Sequence, residues 1–202
     1  MVTVKFCGMR RKEDIDMINE LKPDYIGFIF APSKRQVTPE QANMLIEKTA
    51  SSLCAGVFVN ETNEHIRDIA AACQLDIIQL HGDETQADIT WLKQHTNCEI
   101  WKALRLRSRD DHMHLQILQP DRFLLDSFHE DLVGGSGKRI DHTILAGLDL
   151  SNIMLAGGIQ LDNIHEILAL HPYGIDVSSG IEVNGYKDYQ KMKELIEEVR
   201  RT

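Results

Sequence analysis

Eight short apolar runs recur along the chain at near-regular intervals, each followed by a longer stretch of helical periodicity. They read VTVKFCG, DYIGFIFA, LCAGVFVN, DIIQLHGD, EIWKALRL, RFLLDSF, NIMLAGG and GIDVSSG, and their C-terminal ends at Cys7, Phe30, Val59, Leu80, Ala103, Asp126, Gly157 and Ser178 fall 21 to 31 residues apart. A strand built of continuous Val, Ile, Leu and Phe offers no polar face to water, so both faces must be covered, and the intervening helices supply the cover. That combination is a parallel sheet. One βα unit per interval over 202 residues meets the lower size limit of a closed barrel. The expected fold class is therefore α/β, a single-domain (β/α)8 TIM barrel spanning residues 1–202. A doubly wound open sheet is compatible with the same alternation, and the even spacing favours closure.

Helix starts carry local signals. TPEQ offers Thr38 as N-cap, Pro39 at the first helical position and Gln41 to complete a capping box, and DETQ repeats the pattern with Asp83 and Gln86. KDYQKMKELIEEVRR reads as an amphipathic closing helix.

The composition excludes several classes of function. The chain has 31 acidic against 22 basic residues and a formal charge of −9, whereas nucleic-acid affinity comes from neutralising phosphates with Lys and Arg, so no nucleic-acid partner is expected. No apolar run approaches the roughly 18 residues of a membrane span, and MVTVKFCGMRRKED lacks a basic-then-apolar leader, which makes the expected location cytoplasmic. Cysteines at 7, 54, 73 and 98 form no CxxC pair and read as reduced thiols. His112 and His114, two apart in an expected helix, face different ways, and no metal site emerges.

In a barrel the active site lies at the C-terminal ends of the strands. Those ends are polar here: Cys7 on strand 1, Arg35 after strand 2, His81 and Asp83 after strand 4, Asp126 on strand 6, Gly157 and Gly158 after strand 7, and Ser178, Ser179 and Gly180 after strand 8. Each has a plain alternative: a packed thiol, a solvated cation, a histidine that orients a neighbour, a capping acid. The glycines of LAGGIQLDN and DVSSGIE let backbone N–H groups approach an anion, and barrels often hold phosphate in those two loops. GGSGK at 134–138 departs from a nucleotide loop, with Leu132 and Arg139 where that motif needs Gly and Ser or Thr, and reads instead as a lid or donor set.

Taken in order, VKFCGMR, SKRQV, QLHGDE, LLDS, GGSG, LAGGI…N and DVSSGIE resemble the phosphoribosylanthranilate isomerase family of tryptophan biosynthesis over nearly the whole chain. The resemblance implies a (β/α)8 barrel that performs an Amadori rearrangement of a small phosphorylated substrate without a cofactor. It also implies that Cys7 is the general base and Asp126 the general acid, with Arg35 near the anthranilate carboxylate. The expected substrate-binding set is Arg35, His81, Gly157, Gly158, Asp176, Ser179 and Gly180, and the expected assembly is a monomer or homodimer. Lys34, Ser136 and Asn184 depart from the family pattern at positions outside the proposed catalytic groups.

At pH 7 an unperturbed Asp is ionised and an unperturbed Cys protonated, each the wrong form for its role. Burial is expected to raise the first and a nearby cation to lower the second. Lys5, two residues before Cys7 and so on the same strand face, is the candidate cation; pairing with Asp176 or simple packing are its alternatives. Two other functional readings stand beside the isomerase: a non-catalytic phospholigand sensor, and an enzyme in which Cys7 is a nucleophile and His81 its base.

Overall fold

The computed structural model describes residues 1–106, 108–126 and 142–201. Eight parallel strands close into a barrel in chain order: β1 (Thr3–Cys7), β2 (Tyr25–Ile29), β3 (Leu53–Phe58), β4 (Ile77–Leu80), β5 (Glu99–Arg105), β6 (Arg122–Asp126), β7 (Ile153–Ala156) and β8 (Gly174–Val177). Helices α1 (Lys12–Leu21), α2 (Pro39–Ile46), α3 (Asn63–Ala72), α4 (Gln86–His95), α5 (Met113–Ile117), α6 (His142–Leu145), α7 (Ile164–Leu168) and α8 (Tyr189–Arg201) follow them. The closed barrel replaces the open-sheet alternative, since β1 pairs with β8 through Lys5 opposite Asp176.

Two apolar layers result from strand alternation. Val4, Phe6, Ile26, Ile78, Leu80, Leu125, Leu155, Ile175 and Val177 point outward to meet the helices. Tyr25, Ala55, Ile77, Trp101, Ala103, Leu124, Met154 and Ala156 fill the interior. Trp101 meets Tyr25 edge-on at 5.0 Å between centroids and closes the lower end.

The lower rim repeats one device. Asp24, Asp76 and Asp121, each just ahead of an even-numbered strand, accept the N–H of the second residue of the preceding strand, from Val4, Cys54 and Ile100 at 2.8, 2.7 and 2.7 Å. An N–H at a strand start has no ladder partner of its own, and a carboxylate satisfies it with a charge-assisted bond.

Thr38 caps α2 with Pro39 and Gln41 as expected. The α4 start differs from expectation. Its N-cap is Thr85, boxed with Asp88, because the DETQ residues upstream are engaged elsewhere: the Asp83 N–H donates to Asn60 Oδ1 and Glu84 turns inward to Lys102. His112 closes a 3-10 turn (Arg109–His112) and its ring bonds the Ile144 carbonyl at 2.7 Å. A hairpin absent from the sequence expectations, β9 (Glu182–Val183) and β10 (Tyr186–Lys187), follows β8. Its two-residue turn, Asn184–Gly185, has φ of 52° and 78°, the left-handed pair that Asn-Gly favours. Proline at 184 would be locked near −65° and could not make it. The GGSGK segment lies outside the described residues.

Candidate active site

The alternation that sends Leu124 inward sends Asp126 inward one layer higher, at the barrel mouth. By the same rule Lys5 and Cys7 share the inner face of β1, Gln79 and His81 that of β4, and Asp176 that of β8, whose neighbours Ile175 and Val177 face the helices. Strand register places Arg105 opposite Asp126.

Cys7 is buried against two strands. A Cβ added at Gly27 on β2 would lie 2.7 Å from Cys7 Sγ and 3.0 Å from Lys5 Nζ, so the missing side chain of β2 is the space those two groups occupy. Lys5, fully buried, donates to Asp176 Oδ1 at 3.1 Å and also bonds the Cys7 side chain. The pairing and cationic-field readings of Lys5 are thus both realised. Burial would lower the Lys5 pKa, but Asp176 and Cys7 outweigh it and the group stays an ammonium.

The expected downward pull of nearby cations on Cys7 is present, but it does not set the net direction. Burial pushes the thiol up, and the fields of Lys5 and Lys187 oppose this without overcoming it. Burial also pushes His81 down, against the fields of Asp126 and Asp176 and with those of Arg105 and Lys5. His81 is neutral at pH 7 as a result. Its ring Nδ1 lies 3.3 Å from Gln79 Nε2.

Arg35 folds over Gly8, at the end of β1, and its guanidinium makes a two-pronged ion pair with Glu182, Nε to Oε1 and Nη2 to Oε2 both at 2.7 Å. Glu182 also takes Lys187 Nζ at 2.8 Å. Burial alone would raise the Glu182 pKa, yet these two cations hold it at about 2. Lys187 reaches on to the Ser178 carbonyl at 2.9 Å, and Ser178 Oγ donates to the Cys7 carbonyl at 3.1 Å. The hairpin is held from the other side by Arg10, which donates to the Gly185 carbonyl, and by Arg11, stacked on Tyr186.

The two glycine loops meet. Gly157 and Gly158 have φ of 88° and 63°, and Asn163 locks their turn by donating to the Gly158 carbonyl and accepting the Gln160 N–H. A Cβ on Gly180 would run into the Ile159 carbonyl oxygen, so only glycine lets the loops after β7 and β8 touch. Ser179 opens a single 3-10 turn (Ser179–Ile181) beside them. Backbone N–H groups of such loops, next to a short extra turn, are the usual phosphate cradle of a barrel.

A cavity of about 790 Å³ starts at His81 and Arg105 and extends outward over Asn60, Lys102, Leu104 and His114; its lining does not include Cys7. Beneath it Glu84 pairs with buried Lys102 at 2.8 Å and accepts the backbone N–H groups of Asn60 and Gly82, which pins the turn after His81. Among the described residues no cluster of three or more metal-ligating side chains occurs. No helix among them is long and apolar enough to cross a membrane.

Sequence reasoning had therefore named Cys7, Asp126, His81, Asp176 and the two loops, which share one barrel end, together with Arg35 beside them. It missed Gln79, Glu182 and Lys187. Gln79 was signalled by its place two residues before His81, and the hairpin carrying the other two by Asn184–Gly185.

A closed parallel (β/α)8 barrel that gathers a buried thiol, an aspartate and two touching glycine loops at the C-terminal ends of its strands defines the class as a TIM-barrel protein with its candidate site at that mouth. The family model described as N-(5'phosphoribosyl)anthranilate (PRA) isomerase matches residues 4–198. The enzyme of that name from Thermoanaerobacter sp. (strain X514) is 46% identical over 203 residues, covering 99% of this chain and 98% of its own. The Bacillus subtilis enzyme is 39% identical, covering 98% and 95%. The crystal structure of phosphoribosyl anthranilate isomerase from Thermotoga maritima superposes with a TM-score of 0.87 at 31% identity over 100% of both chains. One solved in complex with reduced 1-(o-carboxyphenylamino)-1-deoxyribulose 5-phosphate gives 0.82 at 30% identity, again over 100% of both chains. The chain belongs to the N-(5'-phosphoribosyl)anthranilate isomerase family. It is an isomerase of tryptophan biosynthesis that converts N-(5'-phosphoribosyl)anthranilate into 1-(2-carboxyphenylamino)-1-deoxyribulose 5-phosphate.

Proposed function

We propose that Cys7 and Asp126 carry the two proton transfers of this rearrangement, as general base and general acid. Ring opening needs a proton on the furanose oxygen as the bond from it to C1 breaks, with the nitrogen lone pair forming the iminium; Asp126 delivers that proton. The iminium makes the C2 proton acidic, and the Cys7 thiolate removes it to leave an enolamine, which tautomerises to the ketose. The two groups reach the sugar from different sides, because β7 and β8 separate β6 from β1 around the rim.

The observation that carries this reading is the gathering of these groups at one barrel mouth. Cys7 bonds Lys5, Lys5 pairs with Asp176, and the fields of both Asp176 and Asp126 act on His81. A sensor that only held a phosphate would need the loops at Gly157, Gly158, Ser179 and Gly180 but no buried thiol bonded to an ammonium. In our reading those loops hold the substrate phosphate, His81 and Asp176 face the sugar, and Arg35 meets the anthranilate carboxylate. Glu182 already fills one edge of that guanidinium, so the N–H groups of the other edge are the ones offered to the ligand.

Incubating the purified protein with freshly generated phosphoribosylanthranilate and following loss of its fluorescence tests the activity, and a stable signal would return the chain to the sensor class. We further read residues 1–202 as one domain working in the cytoplasm as a monomer or homodimer. One Thermotoga maritima structure is of monomers generated from a dimeric isomerase, which supports that range; light scattering of the purified chain decides it.

A further inference from the structure

Gln79 is 1% exposed on the inner face of β4. A polar amide sealed into a barrel is costly unless hydrogen bonded. Its Nε2 has His81 Nδ1 at 3.3 Å, while its Oε1 is one of only two buried side-chain polar atoms without a partner among the described residues. An amide NH2 group can only donate, so the Nδ1 facing it must present a lone pair, and the single proton of the neutral ring then sits on Nε2. Reversing the amide would leave its NH2, with two N–H groups, wholly unpaired in place of one carbonyl oxygen, and buried N–H groups are the rarer orphans.

We propose that Gln79 is a positioning residue that locks His81 in the Nε2–H tautomer, which makes His81 a hydrogen-bond donor to the C2 oxygen of the opened sugar and not a proton acceptor. The inference rests on the reading of Cys7 and Asp126 as the proton-transferring pair, since it leaves His81 no proton to move. The groups acting on the ring are Asp126 and Asp176, which favour its protonation, and Arg105 and Lys5, which disfavour it. Burial decides for the neutral form, and a neutral imidazole N–H is an effective partner for an oxygen that turns from hydroxyl to carbonyl. The arrangement also disfavours His81 as the base of a nucleophilic Cys7: the bare ring nitrogen is the one turned to Gln79.

Long-range 15N–1H correlation spectra of the ligand-free protein, labelled at histidine nitrogen, read the tautomer without any turnover. At pH 7.5 the His81 signals are expected to show a bare Nδ1 and a protonated Nε2. In Gln79→Glu the carboxylate accepts, so the proton is expected to move to Nδ1 and kcat to fall roughly 10²-fold, the scale of losing one fixed donor, with KM changed less than kcat. A proton on Nδ1, or a doubly protonated ring, in the parent protein overturns the proposal. So does an inverted tautomer with kcat intact. Should the Glu variant not fold, Gln79→Met removes the lock without supplying an acceptor; a mixture of tautomers supports the inference and an unchanged Nε2–H form sinks it. Parent-level turnover by Cys7→Ala would remove the acid–base reading while leaving the tautomer measurement standing, so the two failures are told apart.

Discussion

Cys7 carries opposed demands: it must be buried to sit under the sugar, and burial keeps it protonated. Lys5 and Lys187 soften that conflict without reversing it. A thiol whose pKa is raised holds its proton below that value, so its alkylation by iodoacetamide should climb about tenfold per pH unit between pH 7 and 9, following the thiolate fraction. Peptide mapping checks this, and Cys54, pushed by burial to about 12, should lag far behind. A rate at Cys7 that is flat in pH would mean the thiolate already dominates. Replacing the thiol (Cys7→Ala) or the acid (Asp126→Asn) should lower kcat by about 10²–10⁴-fold with the circular dichroism spectrum unchanged. Near-parent turnover by either variant would strike that residue from the mechanism. Cys7, Lys5 and Asp126 were legible in the sequence because strand period and position at a run's end reveal them. The direction of the Cys7 shift was not, since it depends on how much water the closed mouth excludes.

Elements fix where those residues act. The hairpin β9–β10 is the element that joins Arg35, Lys187 and the turn after β8, and Glu182 is its central contact. Its carboxyl is depressed from the ordinary glutamate value of 4.5 to about 2. The stabilisation it gives is therefore complete above pH 4.5 and lost as pH falls towards 2. Glu182→Gln should flatten the decline in melting temperature over that window, a slope that calorimetry measures. At the paired glycine loops, Gly180→Ala should raise KM for the phosphorylated substrate at least tenfold, because a methyl group there must push the Ile159 carbonyl away; an unchanged KM would place the phosphate elsewhere. The α2 cap was readable because Thr38, Pro39 and Gln41 form a contiguous local signal. The α4 cap was misread because Glu84 is drawn off by Lys102, a residue on the following strand that no local window contains. Gln79–His81 and Arg35–Glu182 escaped for the same reason: the first needs the layer order of the interior, and the second a hairpin folding back over β1.

Across the whole molecule the two ends of the barrel do different work. The lower rim is pinned by Asp24, Asp76 and Asp121, and none of these touches the upper residues described above. Asp76→Ala should cost about 1–3 kcal/mol, the price of leaving the Cys54 N–H without its charged acceptor, while kcat stays within about twofold; urea unfolding with parallel assays separates the two, and a collapse of turnover in the folded variant would show the ends to be coupled. The barrel itself was legible because eight buried strands at even spacing have few other ways to hide both faces. The division of its interior was not, and Gly27 shows what that division implies. In a ring of strands with no edge to spread along, neighbouring positions compete for the same few cubic ångströms. On this staircase step the thiol is accommodated because the adjoining one, Gly27, carries no side chain. A side chain at position 27 would have to displace Cys7 or Lys5, so any attempt to move this chemistry into another barrel must clear the adjoining strand before it places the sulfur.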